Sequence, residues 1–150
     1  MNEEELVKIF ERENITLASL PSRALAFFID EVLVSLIFIA IYWNQFAVSE
    51  DIEQTMILMN KVVMNAVLIK IVYHSFFVWM YGATLGKIAA KIRVIYIYDL
   101  SNPNLFYAIL RSLVRVVSES IFYLGFLCAA LNPKRETWHD KVARTLVINA

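Results

Sequence analysis

The chain has 150 residues, 59% of them hydrophobic and 19% charged, with 14 basic and 14 acidic side chains and a formal net charge of zero. Soluble domains run nearer about 45–50% apolar and about 25% charged. The composition therefore excludes a disordered chain, a collagen and a nucleic-acid-binding protein, and it argues for a membrane protein against an ordinary cytosolic enzyme. The neutrality hides a split: residues 1–61 carry four basic and ten acidic groups, a net of −6, and residues 62–150 carry ten basic and four acidic groups, a net of +6.

Residues 1–16 read as an acidic amphipathic segment ahead of a transmembrane domain, 17–150. Within it, 3–13 predicts a short helix with Leu6, Ile9 and Phe10 on one stripe and Glu3, Glu4, Glu5, Glu11 and Glu13 outside it. Three acids in the first turn suit the positive end of a helix. A secretory signal starts basic and continues apolar, and this start does neither. The chain is therefore expected to enter the membrane through its own spans and keep its N-terminus.

Pro21 and Ser22 are expected to break the chain before Arg23. Residues 24–43 are mostly apolar and close on Tyr42 and Trp43. As a helix they reach about 30 Å, the thickness of the hydrocarbon. The polar, acidic stretch 44–61 reads as a loop, and a second full-length run, 62–81, closes on Trp79 and Tyr81. In 82–104, Gly82 and Gly86 mark a turn or a close helix contact, Lys87 and Lys91 a short basic interfacial helix, Arg93–Asp99 an extended stretch and Asp99–Pro103 a turn.

Segment 105–131 has 27 residues, long for one span and too short for two. Its first half carries Arg111 and Arg115 on one face, and its second half is apolar and holds Cys128, the single cysteine, which reads as a small buried hydrophobe. The tail ends in a strand-like Thr145–Ile148.

Lysine and arginine set orientation. There are three in residues 1–23, one in 44–61, three in 82–104 and four in the tail, which predicts a cytoplasmic N-terminus, an outside first loop and a cytoplasmic second loop. The tail's charges favour a break near Val117–Ser120, with an interfacial basic helix followed by a re-entrant one. A tilted single span with an outside tail is the alternative.

Charges inside a membrane are costly and need partners. Asp30 and Glu31 lie in the first run, Lys70 and His74 share a face of the second, and Arg111, Arg115 and Glu119 form one stripe of the third. Arg111, Arg115 and Lys70 are the cationic partners available to Asp30 and Glu31, and Arg115 can also meet Glu119 within its helix. This set reads either as an ion-pair network that docks the helices or as a cation or proton path through Asp30 with His74 as a titrating group.

Gly82–Lys87 lacks the spacing and the hydroxyl of a phosphate loop. His139-Asp140 brings too few ligands for a metal site. Asp140 is expected to cap an interfacial turn or pair with a basic residue.

R-A-L-A-F-F-I-D (Arg23 to Asp30), G-A-T-L-G-K-I-A-A-K-I-R-V after the second run, R-S-L-V-R-V from Arg111 and R-E-T-W-H-D-K-V-A-R-T-L-V at the end, in this order, resemble the RDD family of small bacterial membrane proteins. The family is named for an arginine and two aspartates, matched by Arg23, Asp30 and Asp140. Arg144 departs from it, since members more often have glycine before the threonine. The resemblance implies an integral membrane domain, and cation/proton exchange has been suggested for members. It also implies that Arg23, Asp30, Asp140 and Arg111 or Arg115 gather at the cytoplasmic interface.

The expectations are an all-α membrane bundle in the bacterial inner membrane, with two full spans, an interfacial basic segment and a broken third segment. It has no catalytic set, no cofactor and no metal. Its partners are the lipid bilayer, copies of itself or other membrane proteins, and small cations with protons if it transports. The function expected is that of a transporter, or a transporter component, for small cations coupled to protons through Asp30. A non-catalytic adaptor or assembly protein whose Arg/Asp cluster is a structural clamp is the rival reading.

Overall fold

Ser19 caps the first long helix by accepting the Ser22 N–H on its hydroxyl at 3.2 Å. In the computed structural model, which describes residues 3–48, 51–121, 130–131 and 135–150, that helix already begins at Leu20. Pro21 therefore lies in its first turn and does not break the chain. The first four N–H groups of a helix have no partner within it, so the missing donor costs nothing.

A short helix, α1 (Glu3–Arg12), precedes α2 (Leu20–Val48) and α3 (Ile52–Tyr81). At 29 and 30 residues the two long helices reach about 45 Å each. They overrun the hydrocarbon, and most of 44–61 is helix rather than loop. Hydropathy marks only the part of a helix that must face lipid, and the polar turns beyond it are stable in water. Both are long and apolar enough to cross a membrane, yet only 17% and 6% of their most apolar windows are buried within the protein. A soluble core helix would be covered; these are bare where lipid would cover them.

The two run antiparallel. Asn65 donates to the Tyr42 hydroxyl, Lys70 pairs with Glu31 at 2.8 Å, and the Tyr73 hydroxyl donates to Asp30 at 2.8 Å. Gly82 ends α3 with φ +66, its N–H returning to Val78 O at 3.0 Å. A Cβ there would run into the Asn102 side chain.

Two small units of the same design follow. Thr84 caps α4 (Leu85–Ala89), Lys91 takes φ +54, and β1 (Ile92–Tyr96) begins. Fifty-three residues later Thr137 caps α6 (Trp138–Val142), Arg144 takes φ +51, and β2 (Thr145–Asn149) begins. Both read T-x5-A-[K/R]-x2-V-I. The strands pair antiparallel with Val94 opposite Val147, so the equivalent valines face each other across an approximate twofold axis. The basic helix expected to hold both Lys87 and Lys91 is thus five residues long, and Lys91 lies past its end.

Residues 16–18 add to the free edge of β2, with Leu17 bridging Ile148 and Ala18 N–H donating to Val147 O at 3.0 Å. The start of α2, the end of α3 and the tail therefore meet at one end of the molecule, over a core of Ala18, Ala26, Val78, Ile92, Val94, Ala108 and Val147. This excludes the arrangement in which 105–131 crosses once and leaves the tail opposite.

Asn104 caps α5 (Leu105–Ser120) by accepting the Tyr107 N–H. The helix stops at the break expected near Val117–Ser120. It does not lie flat at that end but runs antiparallel along α3, with Ser112 against Ser75, Arg115 against His74 and Glu119 against Lys70. Its polar stripe finds partners on α3 beyond Arg111, which turns instead to Asp140 and Thr145 of the second unit. The expected return of the second half, and Cys128, lie outside the described residues.

Candidate functional site

Asp30 is fully buried, and neutral donors surround it. Its Oδ1 accepts from the Tyr73 hydroxyl at 2.8 Å and the Gly86 N–H at 2.9 Å, and its Oδ2 from the Thr84 hydroxyl at 2.6 Å. The expected cation partner is absent from these contacts. The N-terminus of α4, where N–H groups stand unpaired, takes that role. Gly86 makes the approach possible: a Cβ there would strike the Ala26 carbonyl and come within 2.8 Å of the Asp30 carboxyl. Of the two glycines singled out, Gly82 thus serves the turn and Gly86 the close helix contact. Tyr73 closes the ring by accepting the Leu85 N–H at 3.2 Å.

Asp140 is also fully buried, and it collects cations. Arg23 Nη1 lies 3.0 Å from its Oδ2, and Arg111 Nη1 bonds its Oδ1 and, at 2.5 Å, the Thr145 hydroxyl. Thr137 and Asp140 form a capping box. Both readings of Asp140, cap and ion pair, hold at once. Burial alone would push its carboxyl up, but Arg111, Arg23 and the Thr137 hydrogen bond outweigh it and hold it well below the usual carboxylate range. The adjacent His139 is buried, and desolvation holds its imidazole well below its ordinary value, hence neutral at pH 7.

The remaining charges form a ladder between α2, α3 and α5. Glu31 meets Lys70 at 2.8 Å, Lys70 meets Glu119 at 3.2 Å, Glu119 meets Arg115 at 2.9 Å, and Arg115 Nη1 reaches His74 Nδ1 at 3.2 Å. The nine charged and titratable residues picked from the sequence therefore fall into three groups: Asp30 apart; Arg23, Arg111 and Asp140 together; Glu31, Lys70, His74, Arg115 and Glu119 together. Among the described residues Asp30 makes no ion pair with Arg23 or Arg111: its direct partners are Tyr73, Thr84 and Gly86, while the two arginines meet Asp140.

Sequence reasoning passed over Tyr73, Thr84 and Thr137, placed Lys87 on an interfacial helix and weighed His139 only as a metal ligand; all five are buried. Lys87 donates to Thr84 Oγ1 at 3.3 Å. Burial first, then the nearby Arg115, lowers its ammonium to about 7, against the pull of Asp30. The repeated T-x5-A-[K/R]-x2-V-I was the signal that would have found Thr84 and Thr137.

The sequence model of the RDD family matches residues 17–144. The chain belongs to the RDD family. No curated protein and no solved structure matches it. The match spans both candidate membrane helices and both units up to Arg144, so this is an RDD-family membrane protein. The residues that carried the resemblance, Arg23, Asp30 and Asp140, are the polar groups that tie α2 to the two units. Arg144, the departure, stands at φ +51, where glycine is the residue without strain.

Proposed function

We propose that this RDD protein is a non-catalytic, multi-pass protein of the bacterial inner membrane that works by assembling with other membrane proteins or with copies of itself, its buried Arg/Asp cluster acting as an internal clamp. The observation that carries this reading is the saturation of Asp30. A fully buried carboxylate already accepting three hydrogen bonds from two elements holds those elements together and has little capacity left for a moving ion. The wide apolar surface that α2 and α3 leave bare is where lipid or a partner helix would pack. The N-terminus and tail are assigned to the cytoplasm, because the Lys/Arg-rich segments 1–23, 82–104 and 135–150 meet at one end and 44–61 carries a single lysine.

A second reading, transport of a small cation against protons, is favoured by the continuous ladder Glu31–Lys70–Glu119–Arg115–His74 within apolar helices. It requires an oligomer to enclose a path. Asp30→Asn separates the two. Under the clamp reading it lowers the abundance and melting temperature of the protein, and proteoliposomes of the native protein show no pH-linked cation flux. Flux that Asp30→Asn abolishes in a protein of native stability overturns the clamp.

A further inference from the structure

Four buried cations border one cavity. Arg23, Lys87, Arg111 and Arg115, with His139, line a space of about 410 Å³ between α2, α4, α5 and the second unit. That volume falls in the range of small-molecule sites, about 300–1,000 Å³. Apart from Thr137, the other described residues of its wall are apolar, with Leu20, Ala24, Phe27, Ile92 and Val147 prominent.

The cations are not equally spent. Arg23 and Arg111 are committed to Asp140. Arg115, with its side chain 8% exposed, uses Nε on Glu119 and Nη1 on His74, and its Nη2 has no hydrogen-bond partner among the described residues. Lys87 spends one of its three donors on Thr84, while the oxygens of the neighbouring Asp30 are taken by Tyr73, Thr84 and Gly86. Among the described residues, the charged side chains buried to about a tenth or less are Arg23, Lys87, Arg111 and Arg115 against Asp30, Glu119 and Asp140, four cations to three carboxylates. The Lys70–Glu31 pair is neutral in itself. An excess buried charge is costly unless an anion meets it.

We propose that this cavity binds an anionic amphiphile, a phosphate or carboxylate head on an apolar chain, with the head at Lys87 and Arg115 and the chain along Leu20, Ala24 and Phe27. The head supplies the missing negative charge and accepts the unused donors. The apolar wall has no other use for a small inorganic ion. The depressed ammonium of Lys87 agrees, since an anion beside it restores the charged form. The site stands independently of the clamp reading.

The test is binding by the whole protein, purified in a neutral detergent and followed by native mass spectrometry, with phosphatidylglycerol, phosphatidylcholine, oleate and inorganic phosphate as probes. Phosphatidylglycerol or oleate is expected to bind at least about tenfold more tightly than phosphatidylcholine, and which of the two prevails identifies the source as a membrane lipid or a free fatty acid. Lys87→Met removes a head contact, and Ala24→Phe fills the cavity from an exposed position with every charge left in place. Each is expected to weaken binding about tenfold or more, and Ala24→Phe carries the test if Lys87→Met fails to fold. Equal binding of phosphatidylcholine, binding unchanged in Ala24→Phe, or inorganic phosphate bound as tightly as the amphiphile overturns the proposal.

Discussion

Lys87 and Asp140 hold the same position, third in its helix, in two equivalent helix–strand units, and they carry opposite charges. The units face each other through Val94 and Val147, so the pair of strands acts as a common floor. Each helix then meets the charge its neighbours supply: α6 brings Asp140 to Arg23 and Arg111, while α4 turns its Gly86 amide and the Thr84 hydroxyl to Asp30 and leaves Lys87 on the cavity. One backbone design thus serves an anion from α2 in one copy and cations from α2 and α5 in the other.

Removing the charge of Asp140 leaves two buried guanidinium groups without their carboxylate. Asp140→Asn is expected to cost about 3–5 kcal/mol. The folded carboxyl sits below its ordinary range, so its contribution is complete above the unfolded value of about 3.9 and is lost as the pH falls below it. Thermal unfolding in detergent against pH checks both, with the acid limb flattened in the variant.

Lys87 gives the same sign in a higher pH window. Its ammonium falls from the ordinary 10.5 to about 7 in the folded protein, so between those values the unfolded chain binds more protons than the folded one. Stability therefore rises with pH across that window and is flat below it. Denaturant unfolding of the lipid-free protein at a series of pH values should show this rise, and Lys87→Met should abolish it.

Gly86→Ala places a methyl against the Ala26 carbonyl, a backbone atom that cannot turn aside. A loss of about 1–3 kcal/mol is expected as α4 is pushed off α2 and the Asp30 hydrogen bonds lengthen. Ala83→Gly, beside it but outside the contact, is the control. Equal melting temperatures for Gly86→Ala and the native protein would refute the close packing.

Arg144→Gly relieves a left-handed residue and gives up a 3.3 Å hydrogen bond to the Tyr98 hydroxyl on the exposed surface. The left-handed conformation costs a non-glycine residue about 1–2 kcal/mol, and glycine returns about 0.5–1 kcal/mol of that as chain entropy. A small net gain in melting temperature is expected, and Lys91→Gly, at the equivalent position, should behave alike. Arg93→Gly, within β1, should lose stability.

Pairing of β1 with β2 and of Leu17 with Ile148 puts both chain ends at the same end of the molecule. Reporter fusions before residue 3 and after Ala150 should therefore report the same side of the membrane, and a fusion within 44–61 the other. Opposite signals from the two ends would contradict the sheet.

How much of this was legible beforehand depended on range. The spans, the stop of α5 near Ser120 and the pair Arg115–Glu119 follow from hydropathy, helix spacing and charge, which left Lys70 as one of three candidate cations for Glu31 and Asp140 as either a cap or an ion-pair partner. Asp30 was correctly marked as a costly residue, but its partners were misjudged. Charge arithmetic looks for a cation, and three neutral donors from α3 and the α4 unit do the same work once they are aimed at one point. Lys87 was misjudged for the mirror-image reason: a lysine in a short basic stretch reads as a solvated face until packing buries it.

The sequence by itself determined that this is a helical membrane protein of the RDD family, with two apolar helices long enough to cross, because hydropathy and motif order are local properties. Only the tertiary structure decided which charge meets which, that the tail returns to the end where α2 begins, and that the repeated segments Thr84–Ile95 and Thr137–Ile148 pair with each other across their strands. Those relations join residues up to 133 positions apart, as Thr16 and Asn149 show, and no local pattern encodes a contact that exists only when the elements between them are folded.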